Sequence, residues 1–184
     1  MRVSIEANHA LLAGHTFEHE IALAGSLSLL SSLDMNHGDA LLGWKTDPFL
    51  NNLLATAMSM YQMLKAEDIG KGGLTFDAKV RRQSFTPKGL IEAHVGGTAL
   101  CARAFLLAAR LMEGGEYDRI VADRYAGWQT PEEQDMLGGK LSLKRIAEQA
   151  EVRGLNPMPR SRRQERIENL PSNKFFSWME RLHG

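Results

Sequence analysis

The stretch Val3–Glu20, VSIEANHALLAGHTFEHE, decides how this chain folds. Its first four residues, VSIE, predict a short strand that ends in the carboxylate of Glu6. An imidazole, His9, follows three residues later, and a helical pattern begins after Thr16, a favourable N-cap. A strand that ends in an acid and leads into a helix is half of a βα unit. The sequence therefore predicts an α/β fold with a carboxylate and an imidazole at the end of its first strand.

The same device recurs twice downstream. Leu29–Asp34 and Gly73–Asp77 both have strand character and both end in an acid. Each follows a helical pattern, the first over Phe17–Leu27 and the second over Asn51–Lys65. Strands that alternate with helices predict a parallel sheet with right-handed crossovers.

In such a sheet the carboxyl ends of all strands lie at one edge, so Glu6, Asp34 and Asp77 are expected to converge. Three carboxylates repel one another unless a cation lies between them. Oxygen ligands suit hard divalent ions, and the added imidazole of His9 shifts the preference towards Mn or Co. We therefore predict a divalent-metal site at the strand ends.

The second half of the chain is predicted to be helical. Thr86 and Pro87 begin a long helix that ends near Gly114, and Ser142 caps a further helix that ends at Gly154. Two short amphipathic segments are expected beyond it, Arg160–Leu170 and Ser172–Leu182.

Composition narrows the classes of function. The 184 residues include 22 basic and 22 acidic side chains, so the net charge gives no support for a nucleic-acid partner. One cysteine, Cys101, excludes an internal disulfide and is typical of a reducing compartment. We find neither a signal-peptide pattern nor an uninterrupted apolar stretch long enough to span a bilayer, and so expect a cytoplasmic protein without membrane contact.

Several long motifs in this sequence resemble those of xylose isomerase. They are IEANHA, AGHTFEHE, LDMNHGDALLGWKTD and GGLTFDAKVRRQS, joined near the C-terminus by RYAGW and RQERIENL. The resemblance implies an eight-stranded (β/α)8 TIM barrel, a homotetramer and isomerisation of D-xylose to D-xylulose, with glucose as an alternative sugar substrate. It also implies two divalent ions per subunit, Mg, Mn or Co, which assist a hydride shift between the first two carbons of the sugar. On this basis residues 1–115 correspond to barrel strands six to eight with their helices, and residues 116–184 to a helical extension that makes subunit contacts.

The family's metal ligands carry over to five positions. By resemblance, Glu6 bridges the two ions, Asp34 and Asp77 bind the first, and His9 and Asp47 bind the second. Asp47 precedes Pro48, so an alternative role is that of an N-cap for the following helix.

This sequence departs from the family in the polar loop. Where the family has an aspartate in Gly-Trp-Asp-Thr-Asp, this chain has Lys45, an ammonium that repels a cation. Lys79 is expected as a charge beside the site, whereas Trp44 and Asp39 receive no role.

The resemblance begins at the sixth barrel strand, which predicts that the chain is the C-terminal portion of an isomerase. The ring-opening His–Asp pair, the substrate lysine and one metal carboxylate would then lie in an N-terminal portion. A chain of this kind is expected to aggregate or to need a complementary fragment, because its sheet edges and apolar faces lack cover.

Two other functions remain open from the sequence. One is a non-catalytic remnant that binds at most one divalent ion or docks to intact subunits. The other is a zinc peptidase, since residues 15–19 spell H-x-x-E-H, although so short a pattern is weakly specific.

Overall fold

The computed structural model describes residues 1–39, 47–66, 69–81, 83–158 and 161–183. The chain forms two compact units. The first comprises Met1–Glu113 with Pro171–Gly184, and the second is Gly114–Leu170. The predicted division into residues 1–115 and 116–184, with its roles in a barrel and in subunit contacts, stays a prediction.

The first unit contains a three-stranded parallel sheet in the order β1-β2-β3. The strands are β1 (Val3–Glu6), β2 (Leu30–Asp34) and β3 (Leu74–Thr75). Their register places Glu6 beside Asp34, and Asp34 beside Thr75. The predicted mixed α/β fold with parallel strands is therefore confirmed, although β3 is shorter than the predicted Gly73–Asp77.

The helices of this unit begin where the sequence supplies a cap. Thr16 Oγ1 accepts from the backbone N–H of His19, and Asn52 Oδ1 accepts from that of Ala55 at 3.1 Å. The helices are α1 (Ala7–Leu12), α2 (Phe17–Ser26), α3 (Leu53–Lys65) and α4 (Pro87–Gly114). Because Asn52 caps α3, the alternative that Asp47 is an N-cap is wrong.

In the core of the first unit, α2 packs against α3 on one side and against β1 and β2 on the other. Ile21, Leu33, Met60 and Leu107 are completely buried. Burying each such side chain stabilises the fold by about 1.5–3 kcal/mol relative to leaving it exposed. This packing fixes the sheet, and with it the positions of the acids that end β1 and β2.

Helix α4 is long and apolar enough to cross a membrane by length and composition alone, which the sequence did not predict. That finding is weak, since core helices of soluble proteins meet the same criterion. Its buried residues include Ala104 and Leu111, whereas Leu90, Ile91 and Val95 are exposed.

The second unit is helical. Its elements are α5 (Glu116–Tyr125), a 3-10 turn (Ala126–Gln129), α6 (Pro131–Leu137), α7 (Leu143–Val152) and the first part of α8 (Gln164–His183). Ser142 caps α7 as predicted, through its Oγ and the N–H of Arg145 at 3.3 Å.

The two predicted segments at the C-terminus are instead one helix, α8, with Pro171 inside it. A proline cannot donate to the carbonyl four residues before it, which here belongs to Ile167. The Tyr117 hydroxyl donates to that carbonyl at 2.6 Å and satisfies it. Burial raises the pKa of Tyr117 to about 12, so the hydroxyl stays protonated, and able to donate, well above neutral pH.

Candidate metal centre at the strand ends

Glu6 and His9 form a pair at the end of β1. Helix α1 begins at Ala7, directly after the strand, so the side chain of His9 lies one helical turn beyond Glu6. Glu6 Oε2 and His9 Nδ1 are 3.1 Å apart, with the Glu6 side chain 14% exposed and that of His9 52% exposed. The carboxylate is held at the sheet edge while the imidazole faces solvent.

A buried asparagine, Asn36, fixes the carboxylate of Glu6. Its Nδ2 donates to Glu6 Oε1 at 3.0 Å and to the main-chain oxygen of Asp77 at 2.9 Å. Its Oδ1 accepts from the backbone N–H of Asn8 at 2.9 Å. Asn36 thus ties together the segments that follow all three strands.

Asp47 is buried, and both of its carboxylate oxygens accept hydrogen bonds from side chains. Asn8 Nδ2 donates to its Oδ1, and Lys79 Nζ donates to its Oδ2 at 2.6 Å. The main chains are also joined, since Lys79 N donates to Asp47 O at 2.7 Å. The sequence predicted Lys79 beside the site, and the structure makes it the ion-pair partner of a predicted metal ligand.

The pKa of Lys79 is raised, chiefly by its hydrogen bond with Asp47 and further by the negative charges of Asp47, Asp77 and Glu6. The ammonium therefore lies in the field of three of the five predicted ligands. It supplies positive charge where the sequence predicted a metal ion.

The remaining two acids are less confined. Asp34 is half-buried, and its Oδ1 accepts from the Thr75 hydroxyl. The side chain of Asp77 is exposed, although its main-chain oxygen is bound by Asn36. Asp39 is described and half-exposed, whereas Trp44 and Lys45 lie outside the described residues.

The pair at the end of β1 fits a divalent ion. Adjacent ligands around an octahedral ion with bonds of about 2.1 Å lie about 3.0 Å apart, which is close to the separation of Glu6 Oε2 and His9 Nδ1. Asp47 fits a metal less well, because both of its oxygens already accept from side chains. The five predicted ligands, all of them described, do not form a group of three whose ligand atoms lie within 4.8 Å of one another.

Sequence reasoning missed Asn8 and Asn36, which organise this edge. Both are almost completely buried. Their positions could have identified them from the sequence, since each asparagine lies two residues after the acid that ends a strand. Asn8 Oδ1 is a buried oxygen without a hydrogen-bond donor among the described residues.

Comparison with known proteins shows what this chain is similar to. A family model described as the XylA2 C-terminal domain matches residues 121–173. The chain is 51% identical over 170 residues to a xylose isomerase of Ruegeria sp. (strain TM1040), and 52% identical over 170 residues to one of Cereibacter sphaeroides (strain ATCC 17025 / ATH 2.4.3). Each match covers 92% of this chain and 39% of the relative.

A xylose isomerase of Escherichia coli O139:H28 (strain E24377A / ETEC) is 47% identical over 176 residues, which is 96% of this chain and 40% of the relative. The chain thus spans about two fifths of the length of the curated relatives it matches. It is similar to the C-terminal part of xylose isomerases.

Proposed function

We propose that this chain supplies strand-end metal ligands to an aldose–ketose isomerase that converts D-xylose to D-xylulose, within a (β/α)8 barrel. The observation that carries the proposal is the pair Glu6 and His9, held by Asn36 at the edge where the parallel strands end. In parallel α/β folds this edge is where catalytic groups gather. The sequence identity of about one half to xylose isomerases supports this choice of reaction.

Glu6, His9 and Asp34 are the residues proposed to hold a divalent ion, Mg, Mn or Co. Such an ion would polarise the oxygens on the two sugar carbons between which the hydride moves. The contribution of this chain is to orient its ligands. Asn36 holds one oxygen of Glu6 and leaves Oε2 directed at His9, which presets the first two ligands before any ion arrives.

The chain matches about two fifths of each relative, so we propose that it acts together with polypeptide equivalent to the rest. The partner is either a complementary fragment or intact subunits of a homotetramer. Exposed apolar residues on α4, among them Leu90, Ile91 and Val95, favour such a partner. A cytoplasmic location is part of the same proposal, and we propose no role for nucleic acid or a membrane.

To test the proposal, this chain is fused to the C-terminus of the part of the Ruegeria isomerase that it does not match. We expect the fusion protein to isomerise xylose in the presence of Mn, and Glu6→Gln to reduce kcat by about a thousandfold or more. Glutamine keeps an oxygen that can accept from Asn36, so the fold is retained. A folded Glu6→Gln fusion with unchanged kcat would refute the proposal, and the 184-residue chain alone is expected to be inactive.

A second candidate is a non-catalytic remnant that binds at most one ion. The ion pair of Asp47 with Lys79 favours it, because a predicted ligand of the second ion is already neutralised. Lys45, which lies outside the described residues, favours the same candidate on sequence grounds, because its ammonium repels a cation. The substitution Lys45→Asp in the fusion distinguishes the two candidates, since a second bound ion and faster turnover indicate an isomerase with one altered position.

A further inference from the structure

A second cluster of metal-ligating side chains lies at the start of α2. Among the described residues it is the one group of three or more histidine, cysteine and acidic residues whose ligand atoms all lie within 4.8 Å of one another. Its members are His15, His19 and Glu20. None of them belongs to the ligand set predicted for the strand ends.

The local fold brings these three side chains together. His15 precedes the N-cap Thr16, and His19 and Glu20 lie in the first turn of α2. The Thr16 hydroxyl accepts from the N–H of His19, which fixes where the helix begins. His15 Nδ1 and Glu20 Oε1 form a hydrogen bond. The imidazole rings of His15 and His19 have their centroids 5.0 Å apart.

The distances suit a tetrahedral ion after a small side-chain adjustment. Ligand atoms around zinc, with bonds of about 2.0–2.2 Å, lie roughly 3.3–3.6 Å apart. None of the present separations exceeds 4.8 Å, so we expect changes of side-chain rotamer to bring the ligand atoms to that spacing. His15 and His19 are exposed, so an ion reaches them directly from solvent.

We propose that His15, His19 and Glu20 form a surface site for a zinc-class divalent ion. Two imidazoles and one carboxylate are a ligand set used by zinc, with the fourth position occupied by water. Imidazole ligands favour Zn, Ni and Cu over Mg, whereas oxygen ligands favour Mg. This site and the strand-end centre therefore differ in the ions they select.

The arrangement differs from that of a zinc peptidase. In a helical metal-binding motif both histidines lie on one face of the same helix. Here α2 begins at Phe17, so His15 lies outside the helix, and the third ligand is Glu20 rather than a more distant residue. We assign ion binding to the cluster and no peptide hydrolysis.

The test measures zinc binding by the 184-residue chain, and by the fusion protein, in competition with a chromophoric zinc chelator. We expect His15→Ala and His19→Ala each to weaken zinc binding by about tenfold or more, because each removes one of three protein ligands. Glu20→Gln is expected to weaken it less. His94→Ala is the matched control, since His94 is an exposed histidine elsewhere in the same unit, and it should leave the affinity unchanged.

Copper provides a second, spectroscopic readout. The electron paramagnetic resonance spectrum of the Cu(II)-loaded chain should show coupling to two imidazole nitrogens, and that of His15→Ala coupling to one. Both measurements are made in the Glu6→Gln background, which lacks a ligand of the proposed strand-end centre, so the result does not depend on the proposed isomerase function. Unchanged zinc affinity in folded proteins that carry His15→Ala or His19→Ala in this background would overturn the proposal.

Discussion

Two imidazole–carboxylate pairs, alike in chemistry, occupy different surroundings in this molecule. Glu6 and His9 lie at the end of a strand, and a buried asparagine holds the carboxylate from behind. His15 and Glu20 lie at the start of a helix, where the fold constrains them through the cap at Thr16. The difference shows that a metal ligand is held in position by the residue that hydrogen-bonds to it from the protein interior. At the first pair that residue is Asn36.

The largest effect is expected from removing that support. Asn36→Ala leaves the Asn8 N–H and the Asp77 carbonyl without their buried partner, which should lower the free energy of unfolding by about 2–4 kcal/mol. The melting temperature should fall by roughly 5–15 °C for a chain of this size. Asn51→Ala removes an exposed asparagine and should change stability by no more than about 0.5 kcal/mol. Equal melting temperatures for the two variants would contradict a structural role for Asn36.

A smaller effect is expected when a methyl group is added beside each pair. A Cβ at Gly38 would lie 2.6 Å from Asn8 Oδ1 and 3.1 Å from its Cα, so Gly38→Ala must displace the buried Asn8. We expect a loss of about 1–3 kcal/mol, measured by urea denaturation. Gly14, near His15, has open space around it but a φ of +81°, so Gly14→Ala should cost about 1 kcal/mol through the backbone alone. A greater loss of stability in Gly14→Ala than in Gly38→Ala would contradict the inference that the surroundings of Glu6 and His9 are the more rigid of the two.

The charge of Lys79 distinguishes the two pairs electrostatically. Lys79→Met removes an ammonium from the field of Glu6 and Asp77 and frees one oxygen of Asp47. Affinity for Mn at the strand ends should rise by about tenfold, because a repelling cation is removed. Zinc affinity at His15 and His19 should stay the same. A fall in Mn affinity in the folded variant would mean that Lys79 supports this centre instead of opposing an ion.

The smallest effect is expected at Cys101. Burial raises the pKa of its thiol to about 11, so very little thiolate is present at neutral pH. Alkylation by iodoacetamide should be several-fold slower than that of a small-molecule thiol, and it should approach that rate in denaturant. An alkylation rate equal to that of the small-molecule thiol in the folded protein would contradict the partial burial of Cys101.

Much of this organisation could be predicted from the sequence. The strands and caps follow local rules, so Val3–Glu6 as a strand and the capping roles of Thr16 and Ser142 were recovered. Local rules failed at Pro171, where a distant hydroxyl satisfies the carbonyl that proline leaves free. They also failed at Asn36 and Asp47, since buried hydrogen-bond partners depend on which loops the fold brings together.

The cluster at His15 was noticed in the sequence only as a short peptidase pattern. Glu20 was not recognised as part of it, because adjacent residues on a helix do not face one another and the meeting depends on how His15 enters the helix. The signal for a metal site was the two histidines four residues apart.

The most direct measurement is the number of Mn ions bound per fusion subunit, determined by electron paramagnetic resonance of the unbound ion. We predict one tightly bound Mn in the unmodified fusion, none in Glu6→Gln, and one in the double variant His15→Ala/His19→Ala. A folded Glu6→Gln protein that binds Mn with unchanged number and affinity would show that the strand ends are not the metal centre.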